Sequence, residues 1–359
     1  MELNENWIIY EAIVGSHAYG LNTPESDIDY RGIMVPDKTY YLSPFKHIEQ
    51  YEDSTNDRVI FAFNKFVNLA TQNNPNILEI LWVKDDLIKT MTPLGKKLRD
   101  NRELFLSAKC KFTYSGYSIS QIHRIKGHKK WLDNPPTKPE RKDFGLDENR
   151  IFIKEPVLQS MVENFRNFVK KSIVNDFTEQ YSNFNKDDFD FLIGKSLSDL
   201  PIEYFRDYSI KFFSTLSGEY ISDERKDILK KELQYYFKLR EWKNYTKWRE
   251  NRNPERAKLE EKYSFDQKHA KHTLRLLLQC RDILLTGSLN LDISKRPEII
   301  ALSNGEWTYE YLLKWAEDFD AELDEIYKNK KYVVPHSPDT NKIEQLALEI
   351  IEEKLKEEK

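Results

Sequence analysis

Cysteine is the first scarcity: only two, Cys110 and Cys280, occur in 359 residues, and they stand far apart. Two thiols cannot complete a zinc site by themselves and give no disulfide framework. No stretch approaches the roughly 18 consecutive apolar residues of a membrane-spanning helix. The opening MELNENWIIYEAIVG lacks the basic start and long apolar run of a secretory leader. A basic excess is missing too: 56 Lys and Arg face 60 Asp and Glu, a formal net charge of −4. Any nucleic-acid surface must therefore be local. There is no internal repeat. These absences point to a cytoplasmic protein of a reducing compartment with no membrane partner.

What is present is charge and aromatic surface. Charged residues make up 32% of the chain and aromatics 13%, with 20 Tyr, 20 Phe and 7 Trp. That mixture suits an aromatic-rich core under a charged exterior, in two or three domains. Residues 7–14, WIIYEAIV, read as a strand ending at Gly15 and Ser16. A second strand is expected from Ile28 to Val35, after the turn-forming NTPES, and a third is RVIFAF at 58–63. Helical periodicity follows in NKFVNLATQ, then in PNILEILW after an Asn-Pro break. The expected class is α+β, a small mixed sheet with helices followed by a mainly α-helical C-terminal region.

The long, amphipathic LSAKCKFTYSGYSISQIHRIKGHKKWL turns basic towards its end and stops at the Pro-rich NPPTKPERKDFGL, which no helix could continue through. The expected divisions are residues 1–133, a linker at 134–149, a charged, aromatic-rich helical insertion at 150–262, and a helical region at 263–359. Within the insertion, DERKDILKKELQYYFKLREWKNYTKWRE has two readings. It is a solvated helical hairpin with its aromatics buried, or a basic surface for a polynucleotide built on Lys230, Lys231, Lys238, Arg240, Lys243, Lys247 and Arg249. The HRIKGHKKW segment, with Arg124, Lys126, Lys129 and Lys130 beside His128 and Trp131, has the composition of a nucleic-acid patch or of an ordinary wet helix end. His123 and His128 have no partner at zinc-site spacing.

The stretch VGSHAYGLNTPESDIDYRGIMVP carries the chemistry. On a strand, Asp27 and Asp29 point the same way while Ile28 packs behind. Adjacent carboxylates repel unless a cation lies between them. Mg²⁺, with Mn²⁺ as a substitute, takes oxygen ligands from one or two carboxylates and substrate phosphates. Upstream, Gly15 allows close backbone approach, and Ser16 offers a hydroxyl beside exposed N–H groups suited to a phosphate oxygen.

G-S-x-x-x-G followed by D-x-D resembles the signature of the DNA polymerase β nucleotidyltransferase superfamily. GSHAYGLNTPESDIDYRGI is more similar to its bacterial and phage branch of predicted nucleotidyltransferases, some associated with RNA repair. NKFVNLATQNNPNILEILW, GHKKWLDNPPTKPERKDFGL and SFDQKHAKHTLRLL resemble further segments of that branch; residues 150–260 match nothing in it. The resemblance implies that 1–133 is the catalytic domain and that 263–359 completes the nucleotide site. It also implies a two-metal transfer of NMP from an NTP to a hydroxyl, with Gly15, Ser16, Tyr19 and Gly20 at the nucleotide. Such a scheme needs a third acid beside Asp27 and Asp29. Asp57, opening RVIFAF in phase with Val59 and Phe61, is the choice, with Asp53 and Glu52 as substitutes. Glu79 is either an orienting acid or a buried structural one.

Lys268, His272 and Arg275, spaced i, i+4, i+7, share one helical face. Alone they would read as a wet stripe; with the resemblance they read as a triphosphate grip. His269 and Lys271 are weaker candidates, and Asp266 would cap the helix. The first-choice acceptor is an RNA 3′ end, of tRNA or another RNA. Adenylylation of a protein, as in antitoxin-type relatives, and non-catalytic nucleotide sensing are the alternatives. A D-x-D glycosyltransferase is disfavoured because the acids arrive after a single strand.

Overall fold

The computed structural model describes residues 3–357 apart from Glu25, Ser54, Arg166, residues 168–221 and Asn253, so part of the expected insertion lies outside the described residues. Five strands form one mixed sheet in the order β3-β4-β2-β1-β5. They are β1 (Ile8–Val14), β2 (Asp29–Met34), β3 (Gln50–Asp53), β4 (Arg58–Ala62) and β5 (Ile88–Met91). β2 runs parallel to β4, and every other pairing is antiparallel. The α+β class and the small mixed sheet are as expected. The near-continuous apolar run of β1 is explained by its place inside the sheet, where all but Ile13 are buried. β3 and β5, the edge strands QYED and IKTM, are too short and polar to stand out in the sequence.

The registers set which side chains share a face. Val14 pairs with Asp29 and Ala12 with Arg31, while Arg31 pairs with Val59 and Ile33 with Phe61. Asp29, Arg31 and Ile33 therefore share a face with Val14, Ala12, Val59 and Phe61. On the opposite face Trp7, Ile8, Met34, Ile60 and Ala62 form a separate small core. Glu11, buried there, is held by Arg58 at 2.6 Å, which also reaches Glu5 at 2.7 Å.

Beside the sheet lie α1 (Phe63–Thr71), α2 (Pro75–Leu78), α3 (Pro93–Asp100) and α4 (Cys110–Asp133). Asn74 caps α2 through Oδ1, and Pro75 takes the first helical position, where a missing N–H costs nothing. Later come α5 (Asp223–Glu250), α6 (Gln267–Thr286), α7 (Tyr309–Lys328) and α8 (Thr340–Glu357). Asp266 caps α6, its Oδ1 accepting from the N–H groups of Lys268 at 2.9 Å and His269 at 3.0 Å. The helix ends at Gly287 in the left-handed region, φ 70°. Both ends agree with the sequence reading. The cysteines are free and buried, Cys110 on α4 and Cys280 on α6, with Sγ atoms 4.0 Å apart.

The chain divides into two compact units, residues 1–126 with 259–359, and residues 127–258. In the first, one core joins sheet residues such as Ile9 and Val14 to Leu274 and Leu277 of α6 and Ile350 of α8. Lys97 of α3 ties α8 down through Glu349 at 3.0 Å and Glu353 at 2.7 Å. In the second, Leu229, Leu233 and Tyr236 of α5 pack on Leu158 and Val162, and Arg141 pairs with buried Glu232 at 2.6 Å.

Helix α3 approaches β1 so closely that a Cβ on Gly95 would overlap the Ile9 carbonyl. Gly95→Ala should therefore destabilise the protein by about 1–3 kcal/mol, the usual range for overpacking. Denaturant unfolding checks this; an unchanged midpoint would mean that the contact relaxes freely.

Candidate nucleotidyl-transfer site

Gly15 ends β1 with φ 67°, a conformation that favours glycine. A Cβ at this position would also overlap Asp29 Oδ2, so the residue is constrained twice. The chain then makes one helical turn, with the Tyr19 N–H on the Gly15 carbonyl at 3.1 Å and the Leu21 N–H on that of Ser16 at 2.9 Å. Among the described residues, the N–H groups of Ser16, His17 and Ala18 have no backbone acceptor. They form the open start of that turn, a geometry suited to an anion. Gly20, φ 68°, closes it against Asp292 and Ser294.

Asp29 opens β2 and is half-buried, whereas Asp27 precedes the sheet and is exposed. Ile28 does not pack behind the two acids: the strand starts one residue later than expected, and Ile28 is 43% exposed. Asp57, exposed in the β3–β4 turn at φ 45°, accepts through its carbonyl from the Tyr30 N–H at 3.0 Å and Arg31 Nη1 at 2.6 Å. Burial lifts the Asp29 carboxyl above the usual carboxylate range. Arg31 opposes this, Asp57 adds to it, Lys268 opposes it again, and Asp27 adds to it. The three acids and Lys268 thus interact through one local field. The substitutes are occupied elsewhere: Asp53 is bonded by Thr55 and Asn56 of its own turn, and Glu52 by Gln50.

A cleft of about 490 Å³ opens beside Asp29, lined by Gly15, Arg31, Lys65, Asn74 and Glu79 among others. Lys65 is held at its edge by Glu49 at 2.8 Å and Gln50 at 2.7 Å. At the base lies a buried knot. Glu79 Oε2 accepts from the Tyr19 hydroxyl at 2.6 Å and from Arg275 Nη1 at 2.9 Å. The guanidinium lies over the Tyr19 ring at 4.2 Å and donates to Gln279 Oε1 at 3.1 Å. Burial pushes the Glu79 carboxyl up, while Arg275 and the Tyr19 hydrogen bond pull it back.

Lys268, His272 and Arg275 do share a face of α6, but they differ in setting. Lys268 is exposed. Arg275 is 1% exposed and lies 3.1 Å from His272 Nδ1, which accepts from it. Burial first, then Arg275 and neighbouring cations, depresses the His272 pKa to about 3, leaving a neutral ring. His269 Nδ1 meets Gln121 Oε1 at 2.7 Å, and burial lowers the Lys271 pKa. Of the expected site residues, Gly15 and Asp29 line the cleft, and Tyr19 and Arg275 meet Glu79 at its base. Asp27, Asp57 and Lys268 act on the Asp29 carboxyl through their charges, and Ser16, Gly20 and His272 are not in the cleft lining. Sequence reasoning missed Arg31, although its i+2 phase with Asp29 placed it on the same face. It also missed Lys65 and Asn74, which carry no such signal.

Residues 2–136 match the family model described as RlaP, the RNA repair pathway DNA polymerase beta family. Over that segment, less than half of the chain, it is similar to a polymerase β-like family. A 38.9 kDa protein of the nrdC-mobD intergenic region of Enterobacteria phage T4 is 28% identical over 133 residues, covering 33% of this chain and 39% of that protein. YcgL of Bacillus subtilis (strain 168) is 31% identical over 84 residues, covering 23% of this chain and 32% of YcgL. The chain thus spans only between about a third and two fifths of these relatives' lengths. No solved structure matches. The family suggests a nucleotidyltransferase linked to RNA repair. Among the described residues, no helix is long and apolar enough to cross a membrane.

Two outcomes follow from the knot. Glu79→Leu leaves the Arg275 guanidinium buried without its carboxylate and should cost about 3–5 kcal/mol, read by denaturant unfolding. A loss near zero would mean that water reaches Arg275. His272 is depressed in the fold from 6.5 to about 3, so its stabilisation is complete above about pH 6.5 and is lost as pH falls towards 3. His272→Gln should therefore lose less stability than wild type between about pH 7 and about pH 4. Equal losses in thermal melts would mean that His272 is charged in the folded protein.

Proposed function

We propose that this chain transfers a nucleoside monophosphate from an NTP to the 3′ hydroxyl of an RNA. The observation that supports the reading is half-buried Asp29, placed against the Gly15 turn and raised further by the charges of Asp57 and Asp27. The donor chemistry fits a hard divalent cation: the acids offer carboxylate oxygens, and burial, with the charges of Asp57 and Asp27 adding to it, pushes Asp29 towards protonation. Mg²⁺, held by these three acids, would supply charge neutralisation at the triphosphate and a more acidic acceptor hydroxyl.

The chain's own residues do the rest. The open N–H groups of Ser16, His17 and Ala18, with the Ser16 hydroxyl, bind non-bridging phosphate oxygens, and Lys268 adds a mobile countercharge. Gly20 keeps that turn tight, and Tyr19 anchors it from below. Arg31 steadies Asp29 and the Asp57 carbonyl together. Neutral His272 contributes no charge but keeps a ring N–H to donate. Asp57 takes the proton of the incoming hydroxyl, whose oxygen bonds to the α-phosphorus as the bond to pyrophosphate breaks. RNA is preferred as acceptor because the matched family is one of RNA repair.

The test is incubation with each α-³²P-labelled NTP and Mg²⁺, offering RNA in one arm and cell-lysate protein in the other. Label should enter RNA, vanish with EDTA and return with added Mg²⁺. Asp29→Ala should lower the rate by about 10²–10³-fold or more, as expected when a preorganised transition-state contact is lost. Gly15→Ala should lower it at least tenfold by driving a methyl group into Asp29. Label in protein alone would reassign the acceptor. An Asp29→Ala protein that labels RNA at the wild-type rate would sink the assignment.

A further inference from the structure

Residues 127–258 form a unit of their own, with a surface that the transfer site does not use. Two segments read separately in the sequence meet there, the end of α4 and the last turns of α5. Trp131 lies 5.4 Å from Trp248 and 6.1 Å from Tyr245, and Tyr245 is 6.0 Å from Trp248, measured between ring centroids. All three rings are half-buried, and the Arg252 guanidinium lies 4.8 Å over Trp248. A core cluster would be fully covered; the unit's true core is the separate Leu158, Val162, Leu229, Leu233 and Tyr236 group.

Cations surround these rings. The Arg249 guanidinium lies 5.5 Å over Tyr245, and Lys138 lies 5.5 Å over the half-buried Trp242. Lys247 and Arg249 are exposed. Residues 127–133 and 238–252 together hold eight basic and three acidic residues, in a chain whose net charge is −4. Some of these cations are matched internally, as Lys130 is by Glu241 at 3.1 Å and Lys243 by Glu155 at 3.0 Å. The excess therefore gathers at the aromatic end of α5 instead of spreading over the unit.

Clustered aromatic rings edged by cations are what a single-stranded polynucleotide needs. Bases of any identity stack on the rings, and phosphates meet Lys and Arg. A folded acidic protein would use the charge but leave Trp131, Tyr245 and Trp248 without a role. A duplex hides its base faces. We infer that the surface formed by Trp131, Tyr245, Trp248, Lys247 and Arg249 binds single-stranded nucleic acid, holding an RNA chain in this unit. The choice of RNA rests on the transfer reading above; the binding surface itself does not.

The experiment uses the full chain in EDTA without NTP, so that no transfer can occur. A fluorescein-labelled single-stranded RNA 20-mer, the same sequence as DNA, its RNA duplex and polyglutamate are titrated by anisotropy at several salt concentrations. The single strands should bind, with affinity falling steeply as salt rises. Trp248→Ala should weaken binding about tenfold, the order expected for one lost base stack, and Trp248→Phe should restore most of it. Lys247→Glu with Arg249→Glu should weaken binding at least tenfold and flatten the salt dependence. Both substituted side chains are exposed, and circular dichroism confirms the fold. Asp29→Ala should bind as wild type does; a wild-type chain that binds single strands here but labels none in the transfer assay would remove the transfer reading and leave this one standing. No binding to single strands, tighter binding to duplex, equal competition by polyglutamate, or variants that bind like wild type would each overturn the proposal.

Discussion

The contact on which the cleft depends is the buried ion pair between Arg275 and Glu79, with the Tyr19 hydroxyl as third member. A guanidinium that is 1% exposed survives only if its charge and donors are met. Here the charge and the terminal nitrogens are met by a carboxylate 196 residues away, a neighbouring amide, an imidazole nitrogen and an aromatic face, while Nε has no hydrogen-bond partner among the described residues. The knot fixes more than itself. Tyr19 lies in the turn that starts at Gly15, and Arg275 lies on the helix that carries Lys268. One buried interaction therefore sets the distance between the anion-facing turn and its cationic wall.

The field around Asp29 has a different character. Its carboxyl is half-buried, two further acids act on it, and the chain answers with Arg31 and exposed Lys268. Arg31 is already shared with the carbonyls of Tyr30 and Asp57 and stands 3.7 Å from Asp29. That is a loose pairing for three carboxylates. Like charges acting on a half-buried carboxyl have a cost which the chain meets only in part. By contrast, Glu11 on the opposite sheet face is tightly matched by Arg58. The two faces separate a tightly paired carboxylate from a loosely paired one.

Much of this was legible in the sequence, for physical reasons that differ by element. The apolar runs of β1, β2 and β4 are long because their faces are covered, and coverage is what periodicity reports. Asp266 and Gly287 announced the ends of α6 because caps are local chemistry. Spacing singled out the D-x-D pair, but strand phase did not describe Asp57, which lies at φ 45° in the turn before β4 instead of in the strand with Val59 and Phe61. Edge strands β3 and β5 were not visible, since their order comes from neighbours and not from their own residues. The i, i+4, i+7 spacing correctly put Lys268, His272 and Arg275 on one face. It could not say that the face passes from solvent to core along its length, because the buried end is defined by Glu79, far away in the chain.

That long-range dependence also bears on what the family match covers. The matched segment, residues 2–136, contains Gly15, all three acids, Glu79 and Tyr19. It contains neither Arg275 nor Lys268, and it lacks α8, which Lys97 ties against α3. Taken alone, this segment would bury Glu79 with a hydroxyl but no cation and would leave the Asp29 field without its lysine. A buried carboxylate stripped of its guanidinium is costly in any surroundings. The first compact unit is accordingly built from both ends of the chain. The residues after 258 thus complete the electrostatics of the matched segment and are not a separate appendage, so the acids and their countercharges reach one cleft only when the two parts fold together.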